Sequence, residues 1–212
     1  MDDPAQAHAY AEADFSEANG LFLDRFARLD PSPPTGARVL DLGCGPGDIT
    51  LAFARRYPDC HITAIDGAEA MLSHARCALE GDPDLRGRIR LECLRLPSSS
   101  LPREGFDILL SNSLLHHLSD PDVMWRTLRH CARPGATVLV MDLARPADAD
   151  AVDALVATYA ADAPEVLRND FRNSLFAAYE PAEVEAQLRR HGLGHLRVQE
   201  ISDRHLSVEG RL

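Results

Sequence analysis

The chain has no lysine: all 22 of its basic residues are arginine. Chemistry that needs a lysine amine, as Schiff base or general base, is therefore excluded. Basic charge is also outweighed by acid, with a formal net charge of −11. An extended nucleic-acid footprint needs a basic face that releases counterions, so a nucleic-acid partner is not expected. No run of about eighteen apolar residues occurs, which excludes a membrane-spanning helix. The start, Met1-Asp2-Asp3-Pro4, lacks the basic and apolar regions of a secretory signal. Cys44, Cys60, Cys77, Cys93 and Cys131 are scattered, odd in number and never spaced C-x-x-C. That pattern predicts buried thiols in a reducing compartment, with no metal site. The expectation is a cytoplasmic protein without a membrane partner. Its 212 residues suffice for a core that needs no covalent staples.

What is present alternates regularly. An amphipathic helix is expected from Asp14 to Arg28, with Phe15, Leu21, Phe22 and Phe26 on its apolar side. A Pro- and Gly-rich break, Asp30 to Gly36, follows. Strands are expected at Arg38–Leu42, His61–Asp66, Ile89–Leu94, Phe106–Ser111 and Ala136–Asp142. Helices fall between them at Asp48 to about Tyr57, Ala68 to Leu79 and Asp120 to about Cys131. Asp120 caps the last of these, Pro121 opens it, and Pro134-Gly135 turns the chain into the fifth strand. Such alternation means a parallel sheet with helices on both faces. Leu143 to Ala178 then carries two helical patterns, broken at Pro146 and Pro164, with no strand between. A helix at Pro181–His191 and two short strands, near Leu196–Ile201 and His205–Glu209, complete the chain. The polar Asp203-Arg204-His205 between those strands reads as an exposed turn.

The chemistry concentrates in Val39-Leu40-Asp41-Leu42-Gly43-Cys44-Gly45-Pro46-Gly47. A strand ends in an acid, a glycine turn follows, and a helix begins. Glycine permits positive φ and close approach of backbone to a ligand. In a dinucleotide site such a turn holds pyrophosphate, but its spacing is G-x-G-x-x-G and here it is G-x-G-x-G. Asp41 at the mouth would repel phosphate and suits an ammonium or hydroxyl. A second acid, Asp66, ends the second strand, where a carboxylate can accept hydrogen bonds from both hydroxyls of a ribose. Met71, one turn into the next helix, could pack on a purine.

Taken in order, D-L-G-C-G-P-G, A-I-D-G-x-x-x-M-L, F-D-I-L-L-S-N-S-L-L-H-H-L-S-D-P and R-P-G-A-T-V-L-V-M-D resemble the class I S-adenosylmethionine (SAM)-dependent methyltransferases. The likeness spans about Val39 to Asp142 and is greatest to the small-molecule branch that includes quinone and sterol methyltransferases. It implies an α/β, Rossmann-like, doubly wound sheet of seven mostly parallel strands with a reversed C-terminal hairpin and a helical lid insertion. One domain is expected: 1–35 an N-terminal helical cap, 36–142 a cofactor-binding core, 143–179 the lid, 180–212 the last helix and hairpin. It further implies methyl transfer from SAM, leaving S-adenosylhomocysteine, to a small-molecule acceptor. Asp41 would lie beside the methionine amino group, with Gly43, Cys44 and Gly45 passing under the cofactor. Asp66 and Gly67 would hold the ribose and Met71 would meet adenine. Ser111 and Asn112 would sit beneath the methionine moiety. Where the family carries an acid and a small residue near the adenine amino group, this chain reads Leu94-Arg95-Leu96-Pro97-Ser98, which leaves Leu96 and the backbone to form that wall.

Two readings stand for His116-His117: a proton acceptor near the methyl group, or residues that shape the loop. Tyr10 and Phe15 either close over the cofactor, where an aromatic ring can meet a sulfonium, or merely pack. Tyr159, Arg168, Asp170 and Asn173 in the insertion suit a substrate-selecting lid or a solvated helix pair. Trp125 reads as core. Competing functions are methylation of a protein or nucleic acid, and a non-catalytic SAM-binding protein. The fourth strand lacks an N-P-P-Y-type ending, and the intact acids and glycines argue against a degenerate pocket.

Overall fold

Alternation along the central strands sets the layers. The computed structural model describes residues 4–212; the acidic Met1-Asp2-Asp3 considered above lies outside the described residues. The strands are β1 (Arg38–Leu42), β2 (His61–Asp66), β3 (Ile89–Cys93), β4 (Phe106–Asn112), β5 (Ala132–Leu143), β6 (Arg197–Glu200) and β7 (His205–Arg211). The helices are α1 (Pro4–Ala11), α2 (Ser16–Leu29), α3 (Asp48–Arg56), α4 (Glu69–Glu80), α5 (Asp122–Cys131), α6 (Ala149–Tyr159), α7 (Glu165–Ala177) and α8 (Pro181–Arg190). Successive side chains of a strand point to opposite faces. Leu40, Leu42, Leu109, Val138 and Val140 accordingly pack with Trp125 and Leu128 of α5 and Val184 and Leu188 of α8. Val39, Ile62, Ile108, Leu110, Leu139 and Met141 pack on the other side with Phe22 and Phe26 of α2 and Phe53 of α3. A ring cluster, with Phe26 4.8 Å from Phe53, ties α2 to α3.

All seven strands join one sheet in the order β3-β2-β1-β4-β5-β7-β6. The first five run parallel, and β7 lies antiparallel to both β5 and β6. This is the seven-stranded sheet with a reversed C-terminal hairpin that the sequence implies. Chain order reverses between β1 and β4, and a crevice at their carboxyl ends is where ligands sit in such sheets.

Several boundaries differ from expectation, for local reasons. The strand expected from Ala136 begins at Ala132, and Pro134-Gly135 is not a turn before it but part of an irregularity within it. Pairing jumps from Phe106↔Ala132 to Ile108↔Thr137. Proline lacks a ladder N–H and Gly135 sits at φ +82°, so the dipeptide forms a bulge. The second helix starts at Ser16, since the Asp14 carboxylate accepts the Ser16 N–H at 2.9 Å. α1 precedes it as a separate element, without an apolar stripe that would have marked it. The Asp203-Arg204-His205 turn is not exposed throughout: Arg204 is 9% and His205 5% exposed. Loss of hydration, with the adjacent Arg204 charge, pushes His205 down to about 4. Among the described residues no helix is long and apolar enough to cross a membrane.

Candidate active site

The glycine turn hangs from the ends of β1 and β2. Gly43 and Cys44 N–H both donate to the Ile65 carbonyl, at 2.8 and 3.0 Å. Gly43, Gly45 and Gly47 all take positive φ (+74°, +55° and +92°), conformations that cost other residues strain. A Cβ on Gly43 would meet Leu114 Cδ2 at 2.9 Å, whereas one on Gly45 would meet nothing within 4 Å. The turn thus packs closely at Gly43 and is open at Gly45.

Acids surround that opening. Asp66 accepts Gly45 N–H at 2.9 Å and Ala68 N–H at 2.8 Å, so it fixes both the glycine turn and the start of the next loop. Asp41 is buried and accepts the Thr50 hydroxyl at 2.5 Å. Burial pushes Asp41 up to about 6; the Thr50 hydrogen bond opposes this and the Asp66 charge adds to it. Cys44, between these acids, is held as a neutral thiol, its pKa raised by burial and then by Asp41 and Asp66. Asn112, at the end of β4, has a buried Oδ1 with no hydrogen-bond partner. An unmatched acceptor at the end of β4 suits a hydrogen-bond-donating ligand such as an amino acid's ammonium group.

The Asp41 shift carries a stability prediction. An acid held above its ordinary range binds its proton more tightly folded than unfolded. Asp41 therefore favours the folded state at low pH, and that contribution is lost as pH rises from 3.8 through about 6. Asp41→Asn keeps an acceptor for Thr50 without charge. Relative to wild type it is expected to be more stable at about pH 7.5 than at about pH 4, by on the order of 1–3 kcal/mol, measured by urea unfolding. The same difference at both pH values would contradict a buried anion.

Across the cleft, a turn of 3-10 helix (Leu115–His117) follows β4. His116 Nδ1 lies 2.5 Å from Asp142 Oδ1, at the end of β5. Asp142 also accepts Leu143 N–H on Oδ1 and Leu115 N–H on Oδ2, at 2.8 and 2.7 Å. The rings of His116 and His117 are 4.0 Å apart. His117 keeps an exposed surface, yet loss of hydration, and then the neighbouring His116, push it down to about 4.

A family model for a methyltransferase domain matches residues 39–136, the span that carries the glycine turn, Asp66 and the His116 turn. An uncharacterized methyltransferase of Mycobacterium tuberculosis is 29% identical over 166 residues, covering 78% of this chain and 81% of that protein. A ubiquinone biosynthesis O-methyltransferase of Xylella fastidiosa is 31% identical over 162 residues, 76% of this chain and 62% of that protein. The crystal structure of a SAM-dependent methyltransferase from Aquifex aeolicus superposes with a TM-score of 0.70 at 20% identity, covering 99% and 98% of the two chains. Together these likenesses support a class I SAM-dependent methyltransferase. The chain is a SAM-dependent methyltransferase, and SAM is its methyl donor. The matched relatives do not single out the quinone and sterol branch.

In this methyltransferase the roof of the cleft is α1 and α7. Ala7 of α1 packs on Ala68 and Met71, with Tyr10 against the same cluster. Gln6 Nε2 of α1 donates to Asp170 Oδ2 of α7 at 2.6 Å. Loss of hydration, then the charges of Asp48, Asp142 and Asp66, pushes the Tyr10 hydroxyl up to about 12, so Tyr10 stands among the acids of the cleft. Its ring is 4.6 Å from that of Phe15.

The cleft thus gathers Asp41, Gly43, Cys44, Gly45, Asp66, Asn112, His116, Tyr10, Phe15 and Asp170. Other residues singled out in the sequence have different surroundings. The Ser111 hydroxyl is fully buried and donates to the Leu42 carbonyl at 2.9 Å, bracing β4 on β1. Gly67 lies under the Arg95 stem, where a Cβ would meet Arg95 Cγ at 3.1 Å. Leu96 packs against the core cluster that contains Trp125. Arg168 and Asn173 are exposed. The Tyr159 hydroxyl donates to Asp203 at 2.6 Å and its ring lies 3.3 Å below the Arg204 guanidinium. Those contacts pin α6 to the C-terminal hairpin. Sequence reasoning missed Asp142, Thr50 and Gln6 as members of the site.

Proposed function

We propose that this methyltransferase acts on a small molecule held between the acid-lined cleft and its helical roof. The observation that carries the reading is the Gln6–Asp170 hydrogen bond. It joins the N-terminal cap to the insertion over the strand ends, a bridging that suits a compact acceptor better than a polymer. The net charge of −11 weighs the same way against nucleic acid.

The chain divides by role into a cap (1–35), a cofactor-binding core (36–142), a lid (143–179) and a closing helix and hairpin (180–212). SAM supplies a methyl group already activated by its sulfonium. The residues have to bind, orient and exclude water. Gly43, Cys44 and Gly45 form the floor, with the open face at Gly45 toward the ligand. Asp41 and the unmatched Asn112 Oδ1 receive the ammonium end. Asp66 exchanges its hold on the Gly45 N–H for the ribose hydroxyls, with Gly67, Met71 and Leu96 along the adenosine side. Tyr10 and Phe15 close from above. Methyl transfer is an in-line displacement, so holding the acceptor atom about 3 Å from the methyl carbon supplies most of the rate.

The test is to incubate the protein with methyl-labelled SAM and a whole-cell extract, then separate small metabolites from protein and nucleic acid. Label is expected among the small metabolites. Label confined to the macromolecular fractions would overturn the reading.

A further inference from the structure

His116 is anchored more firmly than a loop-shaping residue requires. Asp142 receives Nδ1 on an oxygen that also accepts Leu143 N–H, and Leu115 N–H occupies the other oxygen. A carboxylate so placed fixes the imidazole as the tautomer protonated on Nδ1, leaving the lone pair on Nε2. That atom is buried and has no hydrogen-bond partner, in a residue only 9% exposed. Most buried polar atoms in proteins are paired, and here the unpaired atom belongs to a ring that a carboxylate holds in place. Nδ1 faces the end of β5, so Nε2, on the far side of the ring, is turned away from the sheet. α7 of the roof packs on the turn that carries it. The arrangement is that of a base oriented by a third group.

We propose that His116 is the general base of this methyltransferase, that Asp142 is its positioning residue, and that the acceptor is therefore an uncharged hydroxyl or amine. The inference rests on the small-molecule reading above and narrows it. In the step, a lone pair of the acceptor oxygen or nitrogen forms the bond to the methyl carbon. The methyl–sulfur bond breaks with its electron pair left on sulfur. The acceptor's proton passes to Nε2, giving an imidazolium that Asp142 stabilises and that later releases the proton to water. A carboxylate acceptor already has a nucleophilic electron pair and needs no base. The charges of Asp48, Asp66 and Asp142, all felt at Tyr10, oppose its entry as well.

The experiment uses the full chain, methyl-labelled SAM and a small-metabolite extract. The linkage of the labelled product is determined by NMR, and its rate of formation is compared in wild type, His116→Asn and His116→Gln. Asparagine can keep a donor toward Asp142 while lacking a base. Glutamine places its amide near the Nε2 position and serves as the second variant. A methyl ether or N-methyl product is expected, with kcat lower by about 10²–10⁴-fold in both variants. The acceptor KM should change little, and SAM affinity by calorimetry should stay within about two-fold, which a structural role alone would not produce. A methyl ester, thioether or C-methyl product overturns the inference. So does unchanged kcat in a folded variant, and the small-molecule reading survives either result. Absence of any labelled small molecule removes both.

Discussion

Replacing Trp125 by alanine is expected to lower the unfolding free energy by about 3–5 kcal/mol, the cost of emptying a large aromatic site in a packed core. Trp125 is fully buried. It lies among Leu40, Leu128, Val138, Val184 and Leu188, where α5 and α8 meet the sheet. Its Nε1–H donates to Gln187 Oε1 at 2.8 Å, and Gln187 is itself only 4% exposed. Truncation therefore opens a cavity and also strands a buried amide oxygen, worth roughly 1–3 kcal/mol more. Domains of this kind have roughly 5–15 kcal/mol in hand, so the variant should stand close to unfolding. Urea denaturation monitored by circular dichroism measures it. Trp125→Phe should lie between, since it keeps most of the volume and loses only the hydrogen bond. A loss below about 1 kcal/mol for the alanine variant would mean that α5 and α8 are not seated on the sheet as described.

Gly43→Val is expected to reduce SAM affinity by about 10–100-fold. Two costs coincide at this position. The residue sits at φ +74°, a region that a β-branched side chain occupies only with strain of about 1–3 kcal/mol. Its first side-chain atom would also meet Leu114 Cδ2 at 2.9 Å and Cδ1 at 3.0 Å. Relief requires the turn to rise from its bonds to the Ile65 carbonyl or the His116-bearing loop to shift outward. Each movement displaces one wall of the cleft. At about 1.4 kcal/mol per tenfold, strain alone accounts for the expected range.

What could be read from the sequence was local. The glycine turn was legible because an acid, a strand end and three glycines with positive φ lie within a few residues. The central strands were legible because each carries its own apolar run, and the reversed hairpin because β6 and β7 are separated by a short polar stretch. Contacts made across the chain were not legible. Asp142 ends a strand like any other acid; only the parallel pairing of β4 with β5 brings it to His116, 26 positions away in sequence. Gln6 and Asp170 are 164 positions apart. Tyr159, Arg168 and Asn173 share a polar-aromatic segment with Asp170, but helical period alone does not say which side a two-helix insertion turns to the cleft. Tyr159 is drawn instead to Asp203 and Arg204. The burial of Arg204 and His205 follows from the antiparallel seat of β7 on β5, where His205 pairs with Leu143. A turn-like tripeptide gives no hint of that seat.

The central claim is that the glycine turn and its flanking acids hold SAM. Isothermal calorimetry of the folded chain against SAM and S-adenosylhomocysteine, with Gly43→Val measured beside the wild type, tests it directly. The account predicts one-to-one binding of both ligands by the wild-type protein, and about 10–100-fold weaker binding by the variant. A folded wild-type protein that takes up neither ligand at about millimolar concentration, or a folded Gly43→Val that binds as tightly as the wild type, would contradict it.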